Sequence, residues 1–218
     1  RYKIFNMKQP LLHINKPQPP LIVEKLYSNV FWRIPQQQKT VYLTFDDGPV
    51  PVYTPWVLDI LDTYNVKATF FCVGDNVIKY PEIFNSIIQR GHTVGSHTFN
   101  HLNGWKTLNT NYFENVCKAA QLVKSTLFRP PYGKITFKQA RVLSEKLTII
   151  MWDVLSKDYD QSIDGHTCFE NVKNYISNGS IIVFHDSQKA FKNLEYALPK
   201  TIEWLIEQGF ACSHLTID

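Results

Sequence analysis

From Val41 onward, short runs rich in β-branched and aromatic residues alternate with segments whose apolar residues recur at helical spacing. That alternation is the pattern of βα units feeding a largely parallel sheet. Seven runs read as strands: 41–45, 68–73, 93–96, 127–129, 148–153, 180–185 and 211–215. Six intervening segments carry the helical period: 54–64, 80–90, 111–124, 137–146, 169–177 and 198–208. Thr54 before Pro55 has the chemistry of an N-cap followed by a first helical residue, and Gly91, Gly179 and Gly209 stand as C-terminal stops. The count and order point to an α/β fold of (β/α) barrel type, with an open doubly wound sheet as the structural alternative.

Residues 1–40 break from this pattern. Pro10, Pro17, Pro19, Pro20 and Pro35 interrupt periodicity around the short apolar run from Leu21 to Tyr27. This stretch reads as an extension that packs on the barrel exterior, with 41–218 as the main domain. Its Tyr27, Phe31, Trp32 and Arg33 give it a weak capacity for peripheral membrane contact. A chain of 218 residues suits one domain with such an extension and can bury a sizeable core. No stretch is long and apolar enough to span a bilayer, and the N-terminus lacks the apolar core of a signal peptide. The first residue is Arg1, so the compartment stays open between cytoplasm and cell envelope.

A formal charge of +4 is mild, and no Lys/Arg run marks a nucleic-acid groove. Cys72, Cys117, Cys168 and Cys212 are widely spaced without a C-x-x-C pair, which argues against a zinc ribbon or a thioredoxin-like motif. Free buried thiols are expected.

Chemistry concentrates in two segments, Thr44-Phe45-Asp46-Asp47-Gly48-Pro49 and Ser96-His97-Thr98-Phe99-Asn100-His101. Asp47 and two imidazoles at i, i+4 can hold one divalent cation, leaving Asp46 to take a proton from a water. Three protein ligands leave a position open for chemistry, whereas a structural site is closed by four, usually with thiolates. No cysteine lies near either segment. Alone, each half has a plainer explanation: Asp-Asp before Gly-Pro as a strand end entering a turn, the histidine pair as ordinary hydrogen-bonding groups.

Three further segments change the balance: Phe128-Arg129-Pro130-Pro131-Tyr132-Gly133, the run from Trp152 to Tyr159, and Ile181-Ile182-Val183-Phe184-His185-Asp186. With all five in this order, the chain closely resembles the polysaccharide deacetylase family, carbohydrate esterase family 4, whose catalytic unit is the NodB homology domain. The resemblance runs from about Val41 to about Phe210. It implies a distorted, incomplete (β/α) barrel, with 41–218 as the catalytic domain. In a barrel, functional groups sit at the carboxyl ends of strands. Asp46, Asp47, His97, Arg129, Asp153 and His185 all fall at predicted strand ends.

The resemblance further implies that Asp47, His97 and His101 are metal ligands. A carboxylate with two neutral imidazoles suits Zn²⁺, with Co²⁺, Ni²⁺ or Fe²⁺ as substitutes. Thr98 matches a residue that orients the ligand loop by hydrogen bonding. Asp46 matches the general base, held by the motif arginine, Arg129. The Tyr132 backbone N–H matches the oxyanion donor, and Pro130 and Pro131, which lack N–H groups, leave it the first donor in the turn. His185 matches the general acid. Asp158 matches the carboxylate that hydrogen-bonds the arginine, with Asp153 or Asp186 tuning the imidazole or arginine nearby.

Two positions depart from the family pattern: Tyr159 stands where Trp is commoner and Val183 where Leu is usual. The resemblance places both in the apolar pocket for the acetyl methyl, so they bear on substrate range. The implied activity is metal-dependent hydrolysis of acetyl groups on N-acetylated sugars of a peptidoglycan- or chitin-like glycan. O-acetyl removal from a polysaccharide shares the same chemistry. The rival from another class is a catalytically silent glycan-binding module on the same scaffold, which would have lost a base, ligand or acid. All six of Asp46, Asp47, His97, His101, Arg129 and His185 are present.

Overall fold

The structure, a computed structural model, describes residues 17–216. Pro10 and the chain start at Arg1 lie outside the described residues. The main sheet holds β1 (Thr40–Asp46), β2 (Thr69–Cys72), β3 (Thr93–Ser96), β4 (Leu127–Phe128), β5 (Thr148–Ile149), β6 (Val154–Leu155), β7 (Ile181–His185) and β8 (Ala211–Ser213). Every pairing is parallel, in the order β5-β4-β3-β2-β1-β7-β6. β8 pairs residues 40–42 of β1, and β2 pairs residues 44–46 of the same strand. The edge strands β5 and β6 do not pair with each other, so the curled sheet is an incomplete barrel, as expected.

Side chains of a strand alternate between faces, and β1 uses this to place the site. Val41, Leu43 and Phe45 pack with Ile182 and Phe184 of β7 under a helical layer. Tyr42, Thr44 and Asp46 therefore face inward, Tyr42 joining Phe71, Phe128, Ile181 and Val183 in the inner cluster. Residues 41–46 are buried on both faces, as a strand covered on both sides requires.

The outer layer is formed by α2 (Tyr53–Thr63), α4 (Pro81–Gln89), α5 (Asn109–Val123), α6 (Phe137–Leu143), α7 (Gly165–Lys173) and α8 (Gln188–Glu207). Two short helices, α1 (Leu21–Leu26) and α3 (Gly74–Lys79), were not anticipated. Gly91 and Gly209, at φ 79° and 74°, follow the ends of α4 and α8 as expected. Gly179 corrects the expectation: α7 ends at Lys173, and Gly179, at φ 82°, serves the turn into β7. Thr54 is also corrected. The N-cap of α2 is Val52, and the Thr54 hydroxyl instead accepts from Val50 N–H and donates to Asp186.

α8 begins ten residues before the expected 198, with Pro199 inside it. The strand expected at 148–153 stops after Ile149. The chain then crosses the gap between the sheet's edges, and Asp153 lands just before β6, at the amino end of the strands. There it accepts from Ser180 Oγ (2.7 Å) and Ile181 N–H (2.7 Å) and pairs with Arg33 (2.9 Å). Asp153 thus belongs to the opposite end of the sheet from His185 and Arg129 and tunes neither.

Residues 17–34 run along the same gap. Phe31 bridges Ile150 and Arg33 bridges Ser180. Leu155 N–H donates to Pro17 C=O (2.9 Å), and Ile34 N–H to Gly179 C=O (2.9 Å). Val23, Tyr27, Val30 and Trp32 are buried in the inner cluster. No described helix is long and apolar enough to cross a membrane. All four cysteines are free: Cys72 and Cys168 buried, Cys212 half-buried, and Cys117 exposed against expectation.

Candidate active site

The carboxyl ends of β1, β3, β4 and β7 bring Asp46, Asp47, His97, Arg129 and His185 to one mouth of the barrel. Asp46 is the last residue of β1, and Asp47 turns away at φ 86°. His97 follows β3, and the chain to His101 is a loop, not a helix, with Thr98 at φ 60° and His101 at φ 54°. Thr98 Oγ1 accepts from Leu102 N–H (3.0 Å), while Asn115 Oδ1 accepts from Phe99 N–H (2.8 Å) and Asn100 N–H (3.2 Å). These bonds fold the loop so that the two imidazoles converge, with centroids 5.1 Å apart.

One donor atom each from Asp47, His97 and His101 lies within 4.8 Å of the others. His101 Nε2 is 3.1 Å from Asp47 Oδ1, and His97 Nε2 is 3.9 Å from it. His97 Nδ1 is 2.8 Å from the Arg129 carbonyl, which can only accept. Nδ1 therefore carries the proton and Nε2 keeps a lone pair. Burial lowers the His97 pKa to about 4, so the ring is neutral at neutral pH. Burial opposes ionisation of Asp47, but the His101 hydrogen bond and the His185, His97 and His101 charges outweigh it and hold the carboxyl well below its usual range. An ionised carboxylate and a neutral imidazole are the forms a divalent cation needs, and the donor set fits one.

Arg129 is wholly buried. Its Nη1 donates to Asp46 Oδ1 (2.7 Å) and Thr44 Oγ1 (2.7 Å), Nε to Ile150 C=O (3.3 Å) and Nη2 to Met151 C=O (2.9 Å). The guanidinium also lies 4.1 Å from the Phe71 ring centroid. Desolvation lowers its pKa against the pull of Asp46. Pro130 is buried, and its carbonyl accepts from Gly133 N–H (3.0 Å) in the turn that sets Tyr132 at φ 62°. The Tyr132 side chain is exposed, with its hydroxyl 3.1 Å from His101 Nδ1.

Asp158 corrects one expectation. It binds His185 instead of Arg129: Oδ1 accepts from Nδ1 (2.7 Å) and Oδ2 from the His185 backbone N–H (2.7 Å). The loop after β6 delivers it there, with Asn193 Nδ2 donating to the carbonyls of Asp158 and Asp160. Arg129, on the far side of β1, already has Asp46. Burial pulls the His185 imidazole down, but the Asp158 charge and hydrogen bond, with Asp47 and Asp46 adding, push it up to about 10. The Tyr159 ring stands edge-on to His185 at 5.1 Å, and Val183 lies buried two residues before His185, on the same face of β7.

Asp186 is the second correction. Its carboxylate bonds Gly48 N–H (3.0 Å) and the Thr54 hydroxyl and reaches neither imidazole nor guanidinium. Thr44, Asn76 and Asn115 also shape the site. Thr44 stood inside a motif with inward register, a usable signal. Asn76 and Asn115 gave none.

A family model described as polysaccharide deacetylase matches residues 33–149. A peptidoglycan-N-acetylglucosamine deacetylase of Bacillus cereus is 32% identical over 193 residues, 83% of this chain and 88% of the relative. Peptidoglycan-N-acetylglucosamine deacetylase PgdA of Listeria monocytogenes is 34% identical over 83% of this chain, which spans only 38% of that longer protein. Among solved structures, a peptidoglycan N-acetylglucosamine deacetylase in complex with 4-naphthalen-1-yl-N-oxidanyl-benzamide superposes with a TM-score of 0.83 at 32% identity, covering 90% of this chain and 94% of that one.

Proposed function

The chain belongs to the polysaccharide deacetylase family, and on that premise we propose that it is a metal-dependent hydrolase that removes acetyl groups from N-acetylated sugars of a peptidoglycan-like glycan. The observation that carries the reading is the division of labour between neighbouring carboxylates. Asp47 faces His97 and His101, and Asp46 is fixed by Arg129. The relatives' names favour peptidoglycan amino sugars over other acetylated glycans.

A divalent cation, Zn²⁺ by donor chemistry, would be held by Asp47, His97 and His101 and would supply Lewis-acid polarisation of water and carbonyl. Asp46, anchored through Oδ1 by Arg129, takes the proton of the attacking water as its oxygen bonds to the acetyl carbon. The carbonyl oxygen gains the electron pair and faces the Tyr132 backbone N–H. His185, protonated on both nitrogens with Nδ1–H given to Asp158, passes the Nε2 proton to the amide nitrogen. The C–N bond then breaks, releasing acetate and a free amine. Tyr159 and Val183 border the space for the methyl group.

The test is acetate release from acetylated peptidoglycan, chito-oligosaccharides and acetylxylan by the zinc-loaded chain. Release from peptidoglycan above the other two is expected. Release from none of them overturns the enzymatic reading, and release from acetylxylan alone replaces amide with ester hydrolysis.

A further inference from the structure

The turn after β1 has an unusual arrangement of supports. The peptide unit joining Asp47 to Gly48 has both polar atoms taken by side chains. Asn76 Nδ2, from α3, donates to the Asp47 carbonyl at 2.8 Å, and Asp186 Oδ1, after β7, accepts from Gly48 N–H at 3.0 Å. The next carbonyl, of Gly48, accepts from Val73 N–H at 2.9 Å. Asp186 is itself fully buried and tied to Thr54, whose oxygen also accepts from Val50 N–H. A Cβ on residue 48 would collide with the Asp186 carboxylate, so this close approach needs glycine.

Asp47 sits at φ 86°, a region that residues with a Cβ seldom occupy. A conformation of this kind persists only where its surroundings over-determine it. The two side chains grip one peptide plane from opposite sides, the Asp186 N–H holds the preceding carbonyl, of Asp46, at 3.2 Å, and the two peptide planes together set the direction of the Asp47 Cα–Cβ bond. We propose that Asn76 and Asp186 are positioning residues that hold the Asp47 carboxylate toward His97 and His101 in the orientation a divalent cation requires. This rests on the reading of Asp47 as a metal ligand. Neither residue touches substrate or cation in the proposal; both act through the backbone of Asp47.

The experiment is calorimetric titration of Zn²⁺ into the full chain after dialysis against a chelator, with thermal unfolding of the same metal-free samples. Asn76→Ala and Asp186→Ala are expected to weaken Zn²⁺ binding by about 10- to 100-fold, the range for partners one step behind the ligands. Asp186→Asn keeps an acceptor for Gly48 N–H and is expected to restore most of the affinity. Leu205→Ala, buried in the outer core near the C-terminal end of α8 and next to β8, at the amino end of the strands, is expected to lower the Tm without moving the Zn²⁺ affinity. Should Asp186→Ala fail to fold, half-buried Asn76 carries the test. Unchanged affinity in Asn76→Ala and Asp186→Ala, beside normal binding by the parent chain, overturns the clamp alone. Absence of His97-dependent Zn²⁺ uptake by the parent chain overturns the ligand reading and the clamp with it.

Discussion

Arg129 and Asp46 meet through a single nitrogen: Nη1 lies 2.7 Å from Asp46 Oδ1, with the guanidinium fully buried and the carboxylate side chain 5% exposed. Three of the other guanidinium N–H groups go to Thr44, Ile150 and Met151. The arginine therefore ties the ends of β1, β4 and β5 together while leaving Asp46 Oδ2 outside that pair.

Arg129→Met leaves a buried carboxylate without its cation, which costs about 3–5 kcal/mol. Urea denaturation is expected to show a loss of that size. Arg129→Lys keeps the charge but cannot reproduce the planar fork toward two backbone carbonyls, so an intermediate loss is expected. Full retention of stability in both variants would remove Arg129 from its structural role.

Asp46→Asn is expected to keep bound metal while losing turnover by about 10² to 10⁴, the range for a general base. Elemental analysis and kcat for the same preparation separate the two effects. An active Asp46→Asn enzyme sinks the assignment.

His97→Ala removes one of three donors, and metal content per chain is expected to fall well below that of the parent protein. His101→Ala is expected to do the same. Unchanged stoichiometry in either variant excludes that histidine from the ligand set.

The His185–Asp158 pair sets a pH dependence. With its pKa up to about 10 from an ordinary 6.5, His185 is protonated at neutral pH and fit to donate. Activity is expected to fall as pH rises through the His185 value, because the proton for the leaving nitrogen is lost. In Asp158→Asn the strongest upward influence is gone, so the alkaline limb is expected to move to lower pH. The same shift governs stability. The pair's contribution is full below about 6.5 and is lost as pH climbs through about 10. Tm against pH for the parent and Asp158→Asn chains checks the second effect.

The strands β1, β2 and β7 were legible because both of their faces are buried, leaving short runs of β-branched and aromatic residues bounded by polar ones. α3 was not, because Gly-Asp-Asn-Val-Ile-Lys is too short to display a period. The expected helix at 198–208 began beside Pro199, because a proline ordinarily stands in a helix's first turn, whereas α8 starts at Gln188. In the fold Pro199 sits mid-helix, opposite the carbonyl of exposed Glu195, where water can replace the missing bond. Asp46, Asp47, His97, His101, Arg129 and His185 converge as their motifs suggested. Partner choice was less accessible: whether Asp158 meets Arg129 or His185 depends on how the loop after β6 folds back over β7.

The seam between β5 and β6 orders events during biosynthesis. Residues 17–34 are translated before Ile150, Leu155, Gly179 and Ser180, the groups they bond, by more than a hundred residues. The earliest of the described segments to be translated must therefore wait, solvated, until most of the sheet exists. Contacts this distant in sequence are slow to form, so the docking of residues 17–34 into the seam is expected to come late in folding.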